Sequence, residues 1–308
     1  MKISVIGAGN VGALSAMHIA EEHLGDVALI DIVKGVAQGK AFDLEDARSV
    51  SGSSYKIEGF DNIDNIKDSG IVVITAGLPR KPGMTREDLL HKNAQIIKEV
   101  CLKVKILAPD SIVIVVTNPL DAMAYFALQV TGFDRRRVFG MGVSLDAARF
   151  NNLISKRLKV KNTDVKAQVI GSHGEAMLPL ARFTYVNGRP LSQDQDVKAI
   201  EELSARTKDR GKEIVSLLGT GSAFFAPSVA ITRIVRAIVK DEKAELGVSA
   251  LLEGEYGLKD ICIGVPCCIG KDGIEKIVEL DLNGEEKSAF LKSADSIRSL
   301  NELLTVIL

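Results

Sequence analysis

The spacing of apolar and polar positions changes several times along the 308-residue chain, and the changes mark its elements. Short unbroken apolar runs, rich in β-branched residues, occur at 3–6, 27–30, 70–75 and 111–116. A half-exposed strand would alternate apolar and polar residues, so continuous runs of this length predict strands buried on both faces. Between them the apolar spacing lengthens to three and four residues. This predicts helices after the first run, over 35–50, from 85 to about 107, and from Pro119 to about 130. Thr85 is placed to cap the third helix, Pro109-Asp110 ends it, and Gly132 stops the fourth. A short strand is expected at 55–59. The stretch 76–84, AGLPRKPGM, carries two glycines and two prolines and predicts a loop.

Strands alternating with helices build an α/β fold, an open, doubly wound parallel sheet covered on both faces. From about residue 144 the pattern is different. An amphipathic helix is expected over 144–158, with Ser144 as its cap, and a strand over 165–170 that runs into Gly171-Ser172-His173-Gly174. A hairpin is expected over 181–188, turning at Asn187-Gly188. Two helices separated near 219–221 fill 195–240, strand-like runs occupy 247–252, 261–265 and 277–282, and a last helix starts near 284. This second half reads as α+β, so two domains are expected, 1–143 and 144–308.

The first 31 residues carry a ligand signature. A strand leads into Gly7-Ala8-Gly9-Asn10-Val11-Gly12, a helix follows, and the second strand ends on Asp31. Gly7 permits a tight turn, Gly9 lets the backbone approach a pyrophosphate, and Gly12 lets the helix pack close to the strand. The helix N-terminus then offers its unsatisfied N–H groups to the phosphates. Asp31 can accept hydrogen bonds from ribose hydroxyls and would repel a 2′-phosphate, which favours NAD over NADP. Glycines alone would be weak support. Strand, turn, helix, strand and acid in this order predict a dinucleotide site of Rossmann type.

Composition narrows the partners. A net charge of −1 offers no electrostatic footprint for nucleic acid or an anionic membrane, and no apolar run approaches a membrane span. Met1-Lys2 passes directly into a strand, so no signal peptide is expected. Cys101, Cys262, Cys267 and Cys268 form no CxxC pair and have no histidine at ligand spacing. They read as reduced thiols of a cytoplasmic protein without a metal site.

His18, His23 and His91 fall within helices and read as surface or packing residues. His173 follows a strand and is flanked by glycines, and imidazole titrates near neutrality, so it is the acid–base candidate for an alcohol substrate. Asp146 and Arg149 stand three apart on one helix. They make either an ordinary surface ion pair or a working pair. In the second case Asp146 orients the histidine, and Arg149 grips a substrate carboxylate in a bidentate fork. Arg80, Lys81 and Arg86 lie in or beside a loop able to close over a site.

GAGNVG, AGLPRKPGMTREDLL, VTNPLD, SLDAARF and IGSHGE, in this order, resemble the lactate and malate dehydrogenase superfamily, specifically the malate dehydrogenases of lactate-dehydrogenase-like type. The resemblance covers nearly the whole chain. It implies an N-terminal Rossmann domain and a C-terminal α+β substrate domain, with NAD as cofactor and a dicarboxylic 2-hydroxy acid as substrate. His173 then matches the proton acceptor, Asp146 its carboxylate partner, Arg149 the anchor of the C1 carboxylate, and Arg86 the group polarising the reacting C–O bond. Asn118 matches a contact to both substrate and cofactor, and Asn93, Val116 and Thr117 match cofactor contacts. Arg80 matches the specificity position, arginine in malate enzymes and typically glutamine in lactate enzymes. The family forms dimers and tetramers, so a homodimer or homotetramer is expected. Two other readings stay open: a lactate dehydrogenase, against which Arg80 argues, and a non-catalytic NAD-binding protein, against which the intact polar set argues.

Overall fold

In a computed structural model, residues 1–78, 85–305 and 307 are described, and Arg86 is described without its side chain. The first half alternates as its apolar spacing dictates: β1 (Lys2–Ile6), α1 (Asn10–Glu21), β2 (Asp26–Ile30), α2 (Val36–Ser51), β3 (Ile57–Phe60), β4 (Ile71–Ile74), α3 (Arg86–Leu107), β5 (Ile112–Val115), α4 (Leu120–Thr131) and β6 (Val138–Gly140). The strands pair in parallel in the order β3-β2-β1-β4-β5-β6. Successive side chains of a strand point to opposite faces, so each strand feeds two cores. Ile3, Val5, Leu29, Ile71 and Val73 join Ala16 and Ile19 of α1. Ile6, Ile30, Val72 and Ile74 join Leu90, Ala94 and Ile97 of α3. Both sets lie essentially out of water, and each such Val, Leu or Ile side chain stabilises the fold by roughly 1.5–3 kcal/mol.

The second half comprises α5 (Ser144–Leu158), β7 (Val165–Lys166), β8 (Val169–Gly171), β9 (Met177–Pro179), β10 (Tyr185–Val186), β11 (Arg189–Pro190), α6 (Leu191–Asp194), α7 (Val197–Leu218), α8 (Phe225–Val239), β12 (Ala244–Glu253), β13 (Lys259–Gly270), β14 (Gly273–Ile277) and α9 (Gly284–Leu304). β12 docks antiparallel on β6 at Ser249 and Gly140, so the parallel sheet continues into an antiparallel one, β12-β13-β8-β9, with β14 beside β13. β7, β10 and β11 form a separate small sheet.

Several expectations change in detail. The strand expected at 165–170 is two strands in different sheets. Between them the Gln168 N–H donates to Thr184 Oγ1 at 3.0 Å and the Gln168 carbonyl accepts from Leu180 at 2.9 Å, which turns the chain from one sheet to the other. Ser144 does not cap α5. Val143 holds that place, and the Ser144 hydroxyl donates to the Gly247 carbonyl at 2.6 Å. Only the start of 277–282 is strand, because the Tyr256 hydroxyl takes over its backbone, donating to Val278 O and accepting from Leu280 N–H. The hairpin turn stands, with Asn187 and Gly188 at φ 49° and 80°, although residues 181–183 form a 3₁₀ turn instead of strand. β6 and β9, three residues each, carry too little periodicity to be read in advance.

Candidate active site

The glycine-rich turn joins β1 to α1 as expected. Gly7 sits at φ +100°, and a Cβ there would come within 2.7 Å of the Ala76 nitrogen. A Cβ on Gly12 would overlap the Gly7 carbonyl oxygen, so the helix can approach only with glycine at that position. Gly9 takes the N-cap place without a side-chain cap, and a Cβ on it would meet nothing within 4 Å. The helix end is thus bare and opens outward, with Asn10 exposed and Val11 half-buried beside it. These features suit the diphosphate of a dinucleotide.

Asp31, at the end of β2, accepts from the Ala8 N–H at 2.7 Å and from the Val33 N–H at 2.9 Å. Both carboxylate oxygens keep a further lone pair for ribose hydroxyls. Two residues without a sequence signature finish the turn. Lys40 of α2 donates to the Ala8 carbonyl at 2.6 Å, and Thr75 Oγ1 donates to the Gly7 carbonyl at 2.9 Å.

Thr117 Oγ1 donates to the Ala76 carbonyl at 2.6 Å, next to the glycine turn, and Val116 precedes it, one residue past the end of β5. Asn93 is buried, and its side chain is a brace: Oδ1 accepts from Leu78 N–H at 2.8 Å while Nδ2 donates to the Asn118 carbonyl at 2.7 Å. Asn118 itself is exposed at the rim, in a cis peptide with Pro119. Thr85 caps α3 in a reciprocal box with Asp88. Arg80, Lys81 and the Arg86 side chain, expected over the substrate, lie outside the described residues.

The acid–base cluster is assembled from two segments. α5 carries Asp146 and Arg149 one turn apart, and the loop between β8 and β9 brings His173 to them. His173 Nδ1 lies 2.7 Å from Asp146 Oδ2, and Arg149 Nη1 lies 3.2 Å from Asp146 Oδ1. Asp146 is fully buried. The two residues are therefore no surface ion pair: one interior carboxylate serves a guanidinium with one oxygen and an imidazole with the other. Burial disfavours the imidazolium, yet the Asp146 carboxylate, helped by Asp121, outweighs it, and the pKa of His173 lies above its ordinary 6.5. Burial pushes Arg149 below the usual guanidinium value, with Asp146 opposing the fall and Arg210 adding to it. With Nδ1 turned to Asp146, Nε2 is the ring nitrogen left for a substrate. Asp121, a buried acid that sequence reading passed over inside VTNPLD, reaches the same loop. Among the described residues no group of histidines, cysteines and acids could hold a metal ion, and the cysteines are unbridged.

Two family models match the chain in succession: the NAD-binding domain of lactate/malate dehydrogenase over residues 1–140, and the α/β C-terminal domain of the same family over 143–304. The chain belongs to the lactate/malate dehydrogenase family. Within this family it is similar to a malate dehydrogenase of Trichormus variabilis, 48% identical over 297 residues that cover 96% of this chain and 92% of the relative. Its fold is similar to the crystal structure of malate dehydrogenase from Cryptosporidium parvum, with a TM-score of 0.95, 43% identity and 99% of each chain covered. It is equally similar in fold to a lactate dehydrogenase of C. parvum complexed with lactic acid and nicotinamide adenine dinucleotide, with a TM-score of 0.95, 38% identity, and 99% and 98% covered.

Proposed function

We propose that the chain is an NAD-dependent malate dehydrogenase, which converts (S)-malate and oxaloacetate reversibly. The observation that carries the reading is the buried Asp146 carboxylate shared between His173 and Arg149, three side chains with the chemistry that a 2-hydroxy acid requires. Gly7, Ala8, Gly9, Asn10, Val11 and Gly12 hold the diphosphate, Asp31 the ribose, and Val116, Thr117 and Asn118 the remainder of the cofactor, with the buried Asn93 bracing the Asn118 carbonyl beneath them. When bound, NAD supplies the hydride acceptor. Arg149 takes the C1 carboxylate in two parallel hydrogen bonds. Arg80 takes the second carboxylate, Asn118 contacts the substrate, and Arg86 polarises its reacting C–O bond. His173 Nε2 accepts the hydroxyl proton of malate, while Asp146 keeps the ring oriented and stabilises the imidazolium. In the reverse direction protonated His173 and Arg86 face the charge that develops on the carbonyl oxygen.

The fold does not choose between malate and lactate, since relatives of both kinds superpose equally well. The choice is supported by the curated relatives, which are malate dehydrogenases 45–48% identical over nearly the whole chain, and by Arg80. Following NADH absorbance with oxaloacetate and with pyruvate tests it: a preference for oxaloacetate of about 100-fold or more in kcat/KM is expected. Comparable or faster pyruvate reduction replaces the reading by a lactate dehydrogenase, and no turnover with either leaves a non-catalytic NAD binder.

A second copy of the chain is the proposed partner, as a homodimer or homotetramer. Phe225 and Val229 stand one turn apart on α8, both more than half exposed, beside an apolar groove of about 630 Å³ that also includes Ala147 and Pro266. Sedimentation of the purified protein reads the state. A cytoplasmic location is proposed from the unbridged cysteines. Among the described residues no helix is long and apolar enough to cross a membrane.

A further inference from the structure

We propose that Asp121 is a positioning residue for the chemical step: it fixes the backbone of His173 while Asp146 fixes the ring, and it presents a second carboxylate to the imidazole. The inference rests on the reading of His173 as the proton acceptor.

Asp121 lies in the first turn of α4, three residues after Asn118, and only 3% of it is exposed. A carboxylate so placed costs several kcal/mol unless donors surround it. An acid at this point of a helix would ordinarily serve its own helix end. Asp121 instead takes its hydrogen bonds from elsewhere. Ser249 Oγ of β12 donates to Oδ1 at 2.6 Å, while the His173 N–H at 2.8 Å and Ser172 Oγ at 3.1 Å donate to Oδ2. One buried side chain therefore ties α4 of the cofactor half to the loop that bears the imidazole. Ser293 of α9 completes the clamp by accepting from the Ser172 N–H at 2.8 Å. The loop has little stiffness of its own, since Gly171 and Gly174 sit at φ +94° and +136°.

Among the described residues, the charged groups facing His173 are few. Asp146 and Arg149 approach from α5 and Asp121 from α4, while Glu175, two residues along, is paired with Lys212 of α7 at 2.9 Å. Near Asp121 there is also the buried Cys262 thiol of β13, pushed above its usual pKa first by burial and then by Asp121. Asp146 and Asp121 both favour the imidazolium, and Arg149 opposes it. Burial raises the pKa of Asp121 itself, against the three donors that favour its charged form. Removing the Asp121 charge lowers the pKa of His173. Oxaloacetate reduction needs the protonated ring, so the high-pH limb of its kcat/KM moves to lower pH.

Asp121→Asn separates charge from shape. Its carboxamide oxygen can still accept from His173 and Ser172, and its NH₂ can donate to Ser249 if that hydroxyl turns. The expected result is a limb displaced downward by roughly half a unit to one unit, less than the 1–3 units of an opposite charge in direct contact. NADH affinity, read by fluorescence titration, should stay within about twofold and reports that the variant is folded. Ring NMR of labelled histidine reads the same displacement for His173 without turnover. Asp121→Ala, which removes the anchor too, should lower kcat by a further factor of roughly 10, from the loss of a hydrogen bond to a charged group. A limb and a ring titration that coincide with wild type in Asp121→Asn overturn the proposal, because then no charge at 121 reaches the imidazole. His173→Asn is the separate control: retained turnover in that variant refutes the role of His173, whatever Asp121 does.

Discussion

The two ends of the site are built by opposite means. The diphosphate and ribose part of the cofactor end is mostly backbone: a turn shaped by Gly7 and Gly12, a bare helix N-terminus at Gly9, and one acid, Asp31, all within 31 consecutive residues. The catalytic end is side chain, and its parts come from far-apart segments. Asp146 and Arg149 stand on α5, His173 stands on a loop beyond β8, and Asp121 reaches in from α4. A backbone site uses groups that every residue has, so its demands fall on the residues that permit the shape. A side-chain site demands specific groups at specific distances. Substitutions at the catalytic end should therefore act on turnover and on discrimination between acids, and those at the cofactor end on affinity and on discrimination between cofactors.

The largest effect is expected at His173. His173→Asn should lower kcat by roughly 10²–10⁴-fold, the usual worth of a positioned acid–base group, with NADH affinity nearly unchanged. Stopped-flow turnover beside a fluorescence titration measures both, and retention of more than about a tenth of wild-type kcat would count against the assignment.

Next comes Arg80, the cation left for the second carboxylate once Arg149 and Arg86 are assigned. An unpaired charge closed into a site with pyruvate costs on the order of 3–5 kcal/mol, or roughly 10²–10⁴-fold. Arg80→Gln should move the oxaloacetate-to-pyruvate ratio of kcat/KM by at least about 100-fold, the lower end, because a loop that stays partly open relieves the penalty. Lys81→Gln is the control. Equal shifts from both variants would reduce the effect to general loop electrostatics.

Arg149→Lys keeps the charge but loses the fork. One charged hydrogen bond is worth about 1.5–3 kcal/mol, so KM for oxaloacetate should rise roughly 10- to 100-fold. Unchanged steady-state kinetics would leave Arg149 as a mere partner of Asp146. The smallest effect belongs to the cofactor end. Asp31→Ser removes both a ribose acceptor and the charge that repels a 2′-phosphate, and the NAD-to-NADP ratio of kcat/KM should narrow by about 10-fold. A ratio equal to wild type would mean that Asp31 serves only Ala8 and Val33.

The protonation of His173 adds a pH expectation to the comparison. Its folded pKa is raised, so the protonated ring persists above pH 6.5. Oxaloacetate kcat/KM should stay level below the raised value and fall as pH rises through it. The Asp146 interaction contributes stability that is fully present below the unfolded pKa and is lost through the same interval. NADH affinity at the glycine turn should change far less over that range.

Local features of the chain were legible directly. The unbroken apolar runs became β1, β2, β4 and β5, the capping role of Thr85 and the stop at Gly132 held, and the Asn187-Gly188 turn formed, because each depends on neighbours within a few residues. The glycine turn was readable for the same reason: its conformation restricts which residue can stand at each place. The motif resemblance singled out His173, Asp146 and Arg149 as well, while their spacing left a surface ion pair open. The fold decided that question by burying Asp146 and bringing the β8–β9 loop to it, since burial and long-range distance have no local signature. The same holds for the split of 165–170 between two sheets, for Lys40 and Thr75 under the glycine turn, and for the continuation of the parallel sheet through β12. Asp121 is the clearest case. In the sequence it is an ordinary acid at the start of a helix, and only tertiary packing gives it donors from β12 and the His173 loop.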